Sequence, residues 1–136
     1  MAPEVQGNEY CFCCGADNDR GLHLVFDYPE EGRAETSLLI PEWFAGWKGI
    51  THGGLLSTLL DEAMAHACMH AVEGAVTAEM TVRFKKPLPT AGKALIRGRL
   101  VETRGRVMST LGQILDEAGT VYAEATAKFM VTKLKS

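Results

Sequence analysis

One long helical pattern between strand-like runs is the feature that most restricts how this 136-residue chain can fold. Over residues 53 to about 72, apolar residues recur at spacings of three, four and one, which predicts a helix with a wide apolar arc. Gly74 is expected to end this helix, because glycine tolerates the positive φ common at helix C-termini. The arc consists of Leu55, Leu56, Leu59, Leu60, Ala63, Met64, Ala67 and Cys68.

Strand-like runs lie on both sides of the helix. Residues 22–28 and 33–40 precede it, and the Pro and Gly of residues 29–32 predict a hairpin turn between them. In the first run after the helix, residues 76–84, the even-numbered side chains are expected to face the core. The remaining runs, whose short connections predict an antiparallel meander, cover about residues 94–102, 107–115 and 120–132.

These elements predict an α+β fold, with an antiparallel sheet of five to six strands wrapped around one central helix, in a single domain over residues 1–136. One helix covers only one face of such a sheet, so we expect a partner subunit at the other face or edge. Residues 41–48 contain both tryptophans, and they are expected to form a short helical turn or an aromatic-lined loop before the helix.

Charge and hydropathy exclude several classes of protein. A net charge of -3 offers no broad attraction to nucleic acid. The most apolar stretch, residues 55–69, is interrupted by polar side chains and is not expected to span a membrane. Residues 1–10 contain no apolar segment typical of a secretory signal. The sequence therefore predicts a cytoplasmic protein without nucleic-acid or membrane partners.

Three of the four cysteines, Cys11, Cys13 and Cys14, lie close together, and Cys68 lies in the helical pattern. Cysteines this near in sequence rarely pair with each other, and the cytosol keeps thiols reduced, so we expect no disulfide. A zinc site normally takes a second Cys or His pair, and only His23 lies nearby. We therefore expect no structural metal and no cofactor.

The tripeptide His52-Gly53-Gly54 lies at the start of the predicted helix. The first N–H groups of a helix lack partners within it and lie at the positive end of its dipole, so they can bind an oxyanion. Glycine removes the Cβ atoms that would keep a thioester carbonyl from those donors. The alternative is a tight turn from loop to helix without any chemistry.

Asp61 and Glu62 lie about two turns into the helix, where adjacent residues point about 100° apart. Asp61 is at the border of the apolar arc, whereas Glu62 shares a stripe with His66 and His70. That stripe is interpreted as a polar helix face, with a metal site as its alternative. Either acid alone is also explained by ordinary solvated charge.

The stretch HGGLLSTLLDEAMAHA resembles the His-Gly-Gly to Asp signature of the PaaI-like hot-dog thioesterases, with the acid nine residues after the histidine. GWKGITHGG resembles the loop before that signature, TAEMTVRFKKPLP the strand after it, and CFCCGADNDRGLHL the opening of one subgroup. The resemblance implies a hot-dog fold that hydrolyses acyl-CoA, as a homodimer or homotetramer with active sites at the subunit interface.

The resemblance also implies roles for individual residues. Gly53, helped by Gly54, polarises the carbonyl, and His52 shapes the pocket. Asp61 of the facing subunit acts as general base or nucleophile, with Thr77 beside it, while Glu62 is the other candidate acid. Relatives have an asparagine six residues before the histidine, where this chain has Gly46.

Substrate contacts are expected from two regions. Arg83, Lys85 and Lys86 are candidates for the phosphates of coenzyme A, with a plain charged strand end as the alternative. The acyl pocket is expected to draw on Trp43, Phe44, Trp47 and Met64. Two other functions stay open: a hot-dog dehydratase or hydratase, and a non-catalytic acyl-CoA binder.

Overall fold

The structure, a computed structural model, describes residues 9–135. The prediction that residues 1–10 contain no secretory signal therefore falls mostly, over residues 1–8, outside the described residues. The elements in chain order are β1 (Arg33–Leu39), a 3-10 turn (Glu42–Phe44), β2 (Ala45–Trp47), β3 (Ile50–Thr51), α1 (Gly53–Cys68), β4 (Val72–Phe84), β5 (Lys93–Arg104), β6 (Val107–Leu115) and β7 (Val121–Leu134).

Five of the strands form one antiparallel sheet in the order β1, β5, β6, β7, β4, and β2 pairs with β3 in a small separate ribbon. This agrees with the predicted sheet of five to six strands, and the three runs of the meander are confirmed as β5, β6 and β7. In β7 the predicted inward face is confirmed from Ala123 to Val131.

Helix α1 lies across one face of the sheet with its apolar arc inward. Leu59, Leu60, Ala63 and Met64 are at most 1% exposed. The closest approach is at Gly98 of β5, where an added Cβ would overlap the backbone carbonyl of Ala63. The predicted apolar arc of α1 thus packs in the core, and Gly98 allows the helix to lie this close to the sheet. No helix within residues 9–135 is long and apolar enough to cross a membrane.

The predicted end of the helix is wrong. Helix α1 ends at Cys68, with Met69 as its C-cap in the right-handed region, and Gly74 belongs to β4. The register between β4 and β7 shifts on both sides of Gly74, and a Cβ there would lie 2.7 Å from Thr132 Oγ1. This glycine is therefore explained by close approach of two strands, which the sequence pattern does not distinguish from a helix cap.

The predicted strand over residues 22–28 is also wrong, since only Asp27 forms a bridge, to Glu35 of β1. His23 has a positive φ of 52°, and two backbone donors of the segment point away from β1: Leu22 N–H donates to the Phe12 carbonyl and Leu24 N–H to the Cys13 carbonyl. The backbone N–H groups of Leu22 and Leu24 are thus bonded to the cysteine-rich segment and not to β1.

Strand β4 forms one edge of the sheet and contains a bulge at its middle. Thr77 pairs with Phe129 and Glu79 with Lys128, which leaves Ala78 as the extra residue. Directly opposed residues share a face, so Thr77 lies on the helix side with buried Phe129. The predicted inward face of even-numbered residues therefore holds only after the bulge, and Val76 is 45% exposed.

Candidate active site

His52 caps the N-terminus of α1 through its own side chain. Its backbone is extended, with φ -63° and ψ 131°, and its Nδ1 accepts a 2.8 Å hydrogen bond from the Gly54 N–H. That bond requires an unprotonated Nδ1, so a neutral His52 carries its proton on Nε2. The cap explains a histidine here, because the first N–H groups of a helix need such an acceptor.

Gly53 and Gly54 differ in what their N–H groups do. The Gly54 N–H is engaged by His52, whereas the Gly53 N–H has no hydrogen-bond partner among residues 9–135. A Cβ on Gly53 would lie 3.3 Å from the ring of Phe84, and one on Gly54 3.0 Å from His52 Nδ1. Of the two predicted oxyanion donors, Gly53 is thus the one available, and Phe84 is a neighbour that the sequence analysis did not identify.

Asp61 and Thr77 are brought together as the resemblance implied. The Thr77 hydroxyl donates a 2.6 Å hydrogen bond to Asp61 Oδ1. Burial raises the pKa of the Asp61 carboxyl; the bond from Thr77 opposes this, and the nearby Glu62 charge adds to it. The result is a half-buried carboxylate that binds protons more readily than an ordinary aspartate.

Glu62 points to a different part of the molecule. Its Oε1 accepts a 3.0 Å hydrogen bond from His66 Nε2, and the Cys11 thiol lies 3.5 Å from its Oε2. Burial raises the pKa of Glu62, but the hydrogen bonds from His66 and Cys14 outweigh it, so that the pKa is lowered. The two neighbouring acids therefore belong to separate clusters.

The predicted polar face of Glu62, His66 and His70 is not an exposed one. His66 is only 8% exposed; it stacks on Phe26 at 4.1 Å between ring centroids, and its Nδ1 lies 2.7 Å from the Tyr28 hydroxyl. His70 is exposed at the end of the helix. Glu62 and His66 are covered by residues 11–28, a segment whose path the sequence pattern did not predict.

The loop before the helix explains the missing asparagine in steric terms. Gly46 packs directly on His52, where an added Cβ would lie 3.1 Å from the Cα of His52 and 3.2 Å from its Cδ2. The pairing of β2 with β3 is irregular at this point, and the His52 N–H donates to the Phe44 carbonyl at 2.7 Å. A side chain at position 46 would therefore need the histidine that caps α1 to shift by a few tenths of an ångström.

The aromatic and methionine side chains that were expected to contact the acyl group differ widely in their exposure to solvent. Trp47 is 82% exposed and Trp43 68%, whereas Phe44 and Met64 are fully buried in the core. Phe44 and Met64 are members of the hydrophobic core cluster that packs around the helix. The two exposed tryptophans lie in and next to the ribbon that leads to His52.

The three cations after β4 also differ. Lys85 forms a 3.1 Å ion pair with Glu124, and Arg83 is close enough to help lower the pKa of that glutamate, after Lys85 itself. Lys86 has an exposed side chain without an ion pair among the described residues. Of the three, Lys86 is the cation whose charge is least neutralised within the chain.

Comparisons with known proteins agree with the fold. The sequence model described as "Thioesterase superfamily" matches residues 48–123, which include the His52-Gly53-Gly54 turn, Asp61 and Thr77. The chain is 30% identical over 101 residues to the acyl-coenzyme A thioesterase THEM4 of Xenopus laevis. That match covers 72% of this chain and 46% of the relative, so the chain spans less than half its length.

Solved structures with the same fold include a putative thioesterase from Ralstonia eutropha JMP134, a phenylacetic acid degradation-related protein. It has a TM-score of 0.73 and 26% identity, over 81% of this chain and 86% of that one. A hypothetical thioesterase from Streptococcus pneumoniae TIGR4, solved with coenzyme A, has a TM-score of 0.77 and 19% identity, over 83% and 91%. Two alanine variants of the latter, one at a threonine and one at an aspartate, each have a TM-score of 0.74.

The five-stranded sheet, its single helix and these matches confirm the hot-dog fold. With the superfamily model matching more than half of its length, the chain belongs to the thioesterase superfamily.

Proposed function

We propose that this chain hydrolyses acyl-CoA thioesters to a free acid and coenzyme A. The observation that carries the proposal is the pairing of Asp61 with Thr77, a half-buried carboxylate fixed by a hydroxyl at 2.6 Å. A carboxylate with a raised pKa is suited to removing a proton near neutral pH. The acyl-CoA substrate class is supported by the name of the X. laevis relative and by the coenzyme A held by the S. pneumoniae protein.

A second line of support comes from the variants of the S. pneumoniae protein. The aspartate and threonine that were replaced there lie sixteen positions apart, in that order along its chain. Asp61 and Thr77 are separated by the same 16 positions. This correspondence favours the Asp–Thr pair over Glu62 as the reacting acid.

The proposed reaction uses two groups of the protein, a backbone N–H donor and a general base. The Gly53 N–H donates to the thioester oxygen, where negative charge develops as the tetrahedral intermediate forms. Asp61 removes a proton from water as its oxygen attacks the carbonyl carbon. When the intermediate collapses, the C–S bond breaks, and the thiolate of coenzyme A takes the proton from Asp61. The products are the acid and the free thiol, and no cofactor enters the balance.

The separation of these groups supports a homodimer. Asp61 lies eight residues after Gly53, about 12 Å along the helix axis, too far for both to act on one carbonyl. We therefore propose that Asp61 of one chain faces Gly53 of its partner. The free edge of β4, with exposed Val76 and Phe84, offers a surface for this pairing.

Coenzyme A is proposed to lie with its phosphates at the end of β4. Lys86 is the first candidate, because Lys85 and Arg83 already share the charge of Glu124. Trp47, exposed beside the turn that contains His52, is proposed to contact the substrate near the carbonyl. Each contact adds binding without taking part in proton transfer.

Release of free thiol from a panel of acyl-CoA esters tests the proposal. Asp61→Asn should lower kcat/KM by about 100- to 10,000-fold, the usual contribution of a general base. Asp19→Asn, an exposed aspartate outside the site, is the matched control and should match the wild type. Glu62→Gln should retain turnover per folded molecule if Asp61 is the working acid.

Three results would contradict this assignment. Unimpaired hydrolysis in Asp61→Asn would exclude Asp61 as the base. Tight acyl-CoA binding without thiol release from any ester would indicate a binding protein. A product that keeps its thioester but gains or loses water would indicate a hydratase or dehydratase.

A further inference from the structure

A second cluster of reactive side chains lies around Glu62, apart from the Asp61–Thr77 pair, and the proposed hydrolysis does not use it. Cys11, Cys14 and Glu62 each bring one ligand atom to this cluster, and these atoms all lie within 4.8 Å of one another. Two of the residues come from the loop and the third from the helix, 51 positions after Cys11. From these residues we infer that the chain has a binding site for a thiophilic divalent cation, with zinc as its natural class of ligand.

The distances fit a tetrahedral ion. Bonds of about 2.3 Å to sulfur and about 2.1 Å to oxygen place a sulfur and an oxygen ligand about 3.6 Å apart. The Cys11 sulfur lies 3.5 Å from Oε2 of Glu62 and 3.7 Å from its Oε1. A carboxylate facing two thiols is a donor set for a cation, whereas a disulfide between the thiols would leave that oxygen without a role.

The loop is shaped to bring the two sulfurs together. Cys11 and Cys14 have the two-residue spacing of a metal knuckle, and the Gly15 N–H closes the turn on the Cys11 carbonyl at 2.8 Å. A Cβ on Gly15 would overlap the backbone of Glu9 and lie 2.5 Å from the Cys11 nitrogen. Only glycine therefore allows this turn.

Glu62 is itself held in place by neighbouring side chains. His66 Nε2 lies 3.0 Å from its Oε1, and because a carboxylate only accepts, Nε2 donates this hydrogen bond. The other ring nitrogen of His66 lies 2.7 Å from the Tyr28 hydroxyl, and the ring stacks on Phe26. Such outer partners are what orients a ligating carboxylate.

The cation would fasten a segment with little regular secondary structure. Within residues 9–32 the structure contains no helix, and the one β-bridge is that of Asp27. On binding, two thiol protons are released and the ion links Cys11 and Cys14 to the helix through Glu62. A fourth position remains for water or for the neighbouring Cys13. The missing second Cys or His pair is thus replaced by one helical carboxylate.

Cobalt titration of the reduced full-length protein tests this inference directly. The metal-free wild type should bind one Co²⁺ per chain with thiolate charge-transfer and tetrahedral d–d absorption, and one equivalent of Zn²⁺ should remove these bands. Cys11→Ser and Cys14→Ser should each weaken the thiolate bands and lower zinc affinity at least tenfold. Cys68→Ala, a buried thiol outside the cluster, is the matched control and should bind as the wild type does.

A wild-type measurement keeps the test decisive if a variant does not fold. Zinc should slow alkylation of Cys11 and Cys14 in the reduced protein, as mapped by mass spectrometry of its peptides. An octahedral cobalt spectrum without thiolate bands, equal binding by Cys11→Ser, or alkylation unaffected by zinc would each overturn the inference. None of these readouts depends on thioesterase activity, so the proposed function stands or fails separately.

Discussion

At the scale of single residues, the adjacent carboxylates of Asp61 and Glu62 have pKa values that are shifted in opposite directions. Burial raises the pKa of Asp61, and among residues 9–135 the Thr77 hydroxyl is the group that stabilises its charge. Glu62 is also buried, yet its pKa is lowered because His66 and Cys14 donate to it. A rotation of about 100° between neighbouring helix residues is enough to place Asp61 where its pKa is raised and Glu62 where its pKa is lowered.

Replacing Gly53 with proline removes the proposed oxyanion donor while preserving the helix. Gly53 is the first helical residue, a position that favours proline, and the extended backbone of His52 suits a residue before proline. With the N–H gone, we expect Gly53→Pro to lower kcat by about 100- to 1,000-fold. Steady-state kinetics with an acyl-CoA ester measures the loss.

Gly53→Ala is the control for the added bulk, since it brings a Cβ to the same place, 3.3 Å from the Phe84 ring, but keeps the N–H. It should retain more activity than Gly53→Pro, because the donor is kept and only the added Cβ hinders the carbonyl. If alanine and proline lower kcat equally, crowding against Phe84 rather than loss of the donor explains the effect, and Gly53 is not the donor.

Sequence patterns predicted some site residues and not their surroundings. The helix start at Gly53 and the pairing of Asp61 with Thr77 were expected, the pairing only from the family resemblance. The engagement of Gly54 by His52 was not, because a histidine cap depends on a rotamer that the sequence does not specify. The cover of His66 by Phe26 and Tyr28 depends on a loop path set by tertiary contacts.

At the scale of elements, the bulge in β4 determines which side chains can reach the helix. Strict alternation would put Thr77 opposite Met130, on the outer face of the sheet. Because Ala78 is the extra residue, Thr77 is opposed to Phe129 and turns inward to Asp61. Bulges commonly redirect a side chain next to an active site, and their position follows from pairing with a distant strand. Local alternation therefore predicted the strand but not its phase before Ala78.

The contact of α1 with β5 makes Gly98 the most restricted glycine of the sheet. A Cβ there would overlap the Ala63 carbonyl, so Gly98→Ala must push the helix from the sheet. We expect the free energy of unfolding to fall by about 1–3 kcal/mol, as in other overpacked cores. Urea denaturation at one protein concentration measures this change.

Gly92→Ala provides the comparison at the start of the same strand. Gly92 is exposed, and the nearest atom to an added Cβ is the Pro89 carbonyl oxygen at 3.9 Å. Its stability should stay within about 0.5 kcal/mol of the wild type. Equal stability of both variants would mean that the helix does not lie against β5 as closely as the structure describes.

At the scale of the whole molecule, β4 is both an edge of the sheet and the support of the proposed base. Its backbone has an unpaired side, and its exposed side chains include Val76 and Phe84. A long edge strand that exposes apolar side chains is normally covered. In the proposed dimer, a two-fold axis at this edge would bring Thr77 and Asp61 next to the helix start of the partner, and the proposed site would be completed across the interface.

Mixing two inactive variants tests whether the halves come from different chains. A hybrid dimer of Gly53→Pro and Asp61→Asn has one site with both substitutions and one with neither. Random exchange of equal amounts makes half of the dimers hybrids, so about one quarter of wild-type activity should return. A hybrid purified through two different tags should recover about half of it, because one of its two sites is intact. Each variant taken through the same exchange alone should stay inactive, and a purified hybrid no more active than its parents would show that the two residues do not share a site across the interface.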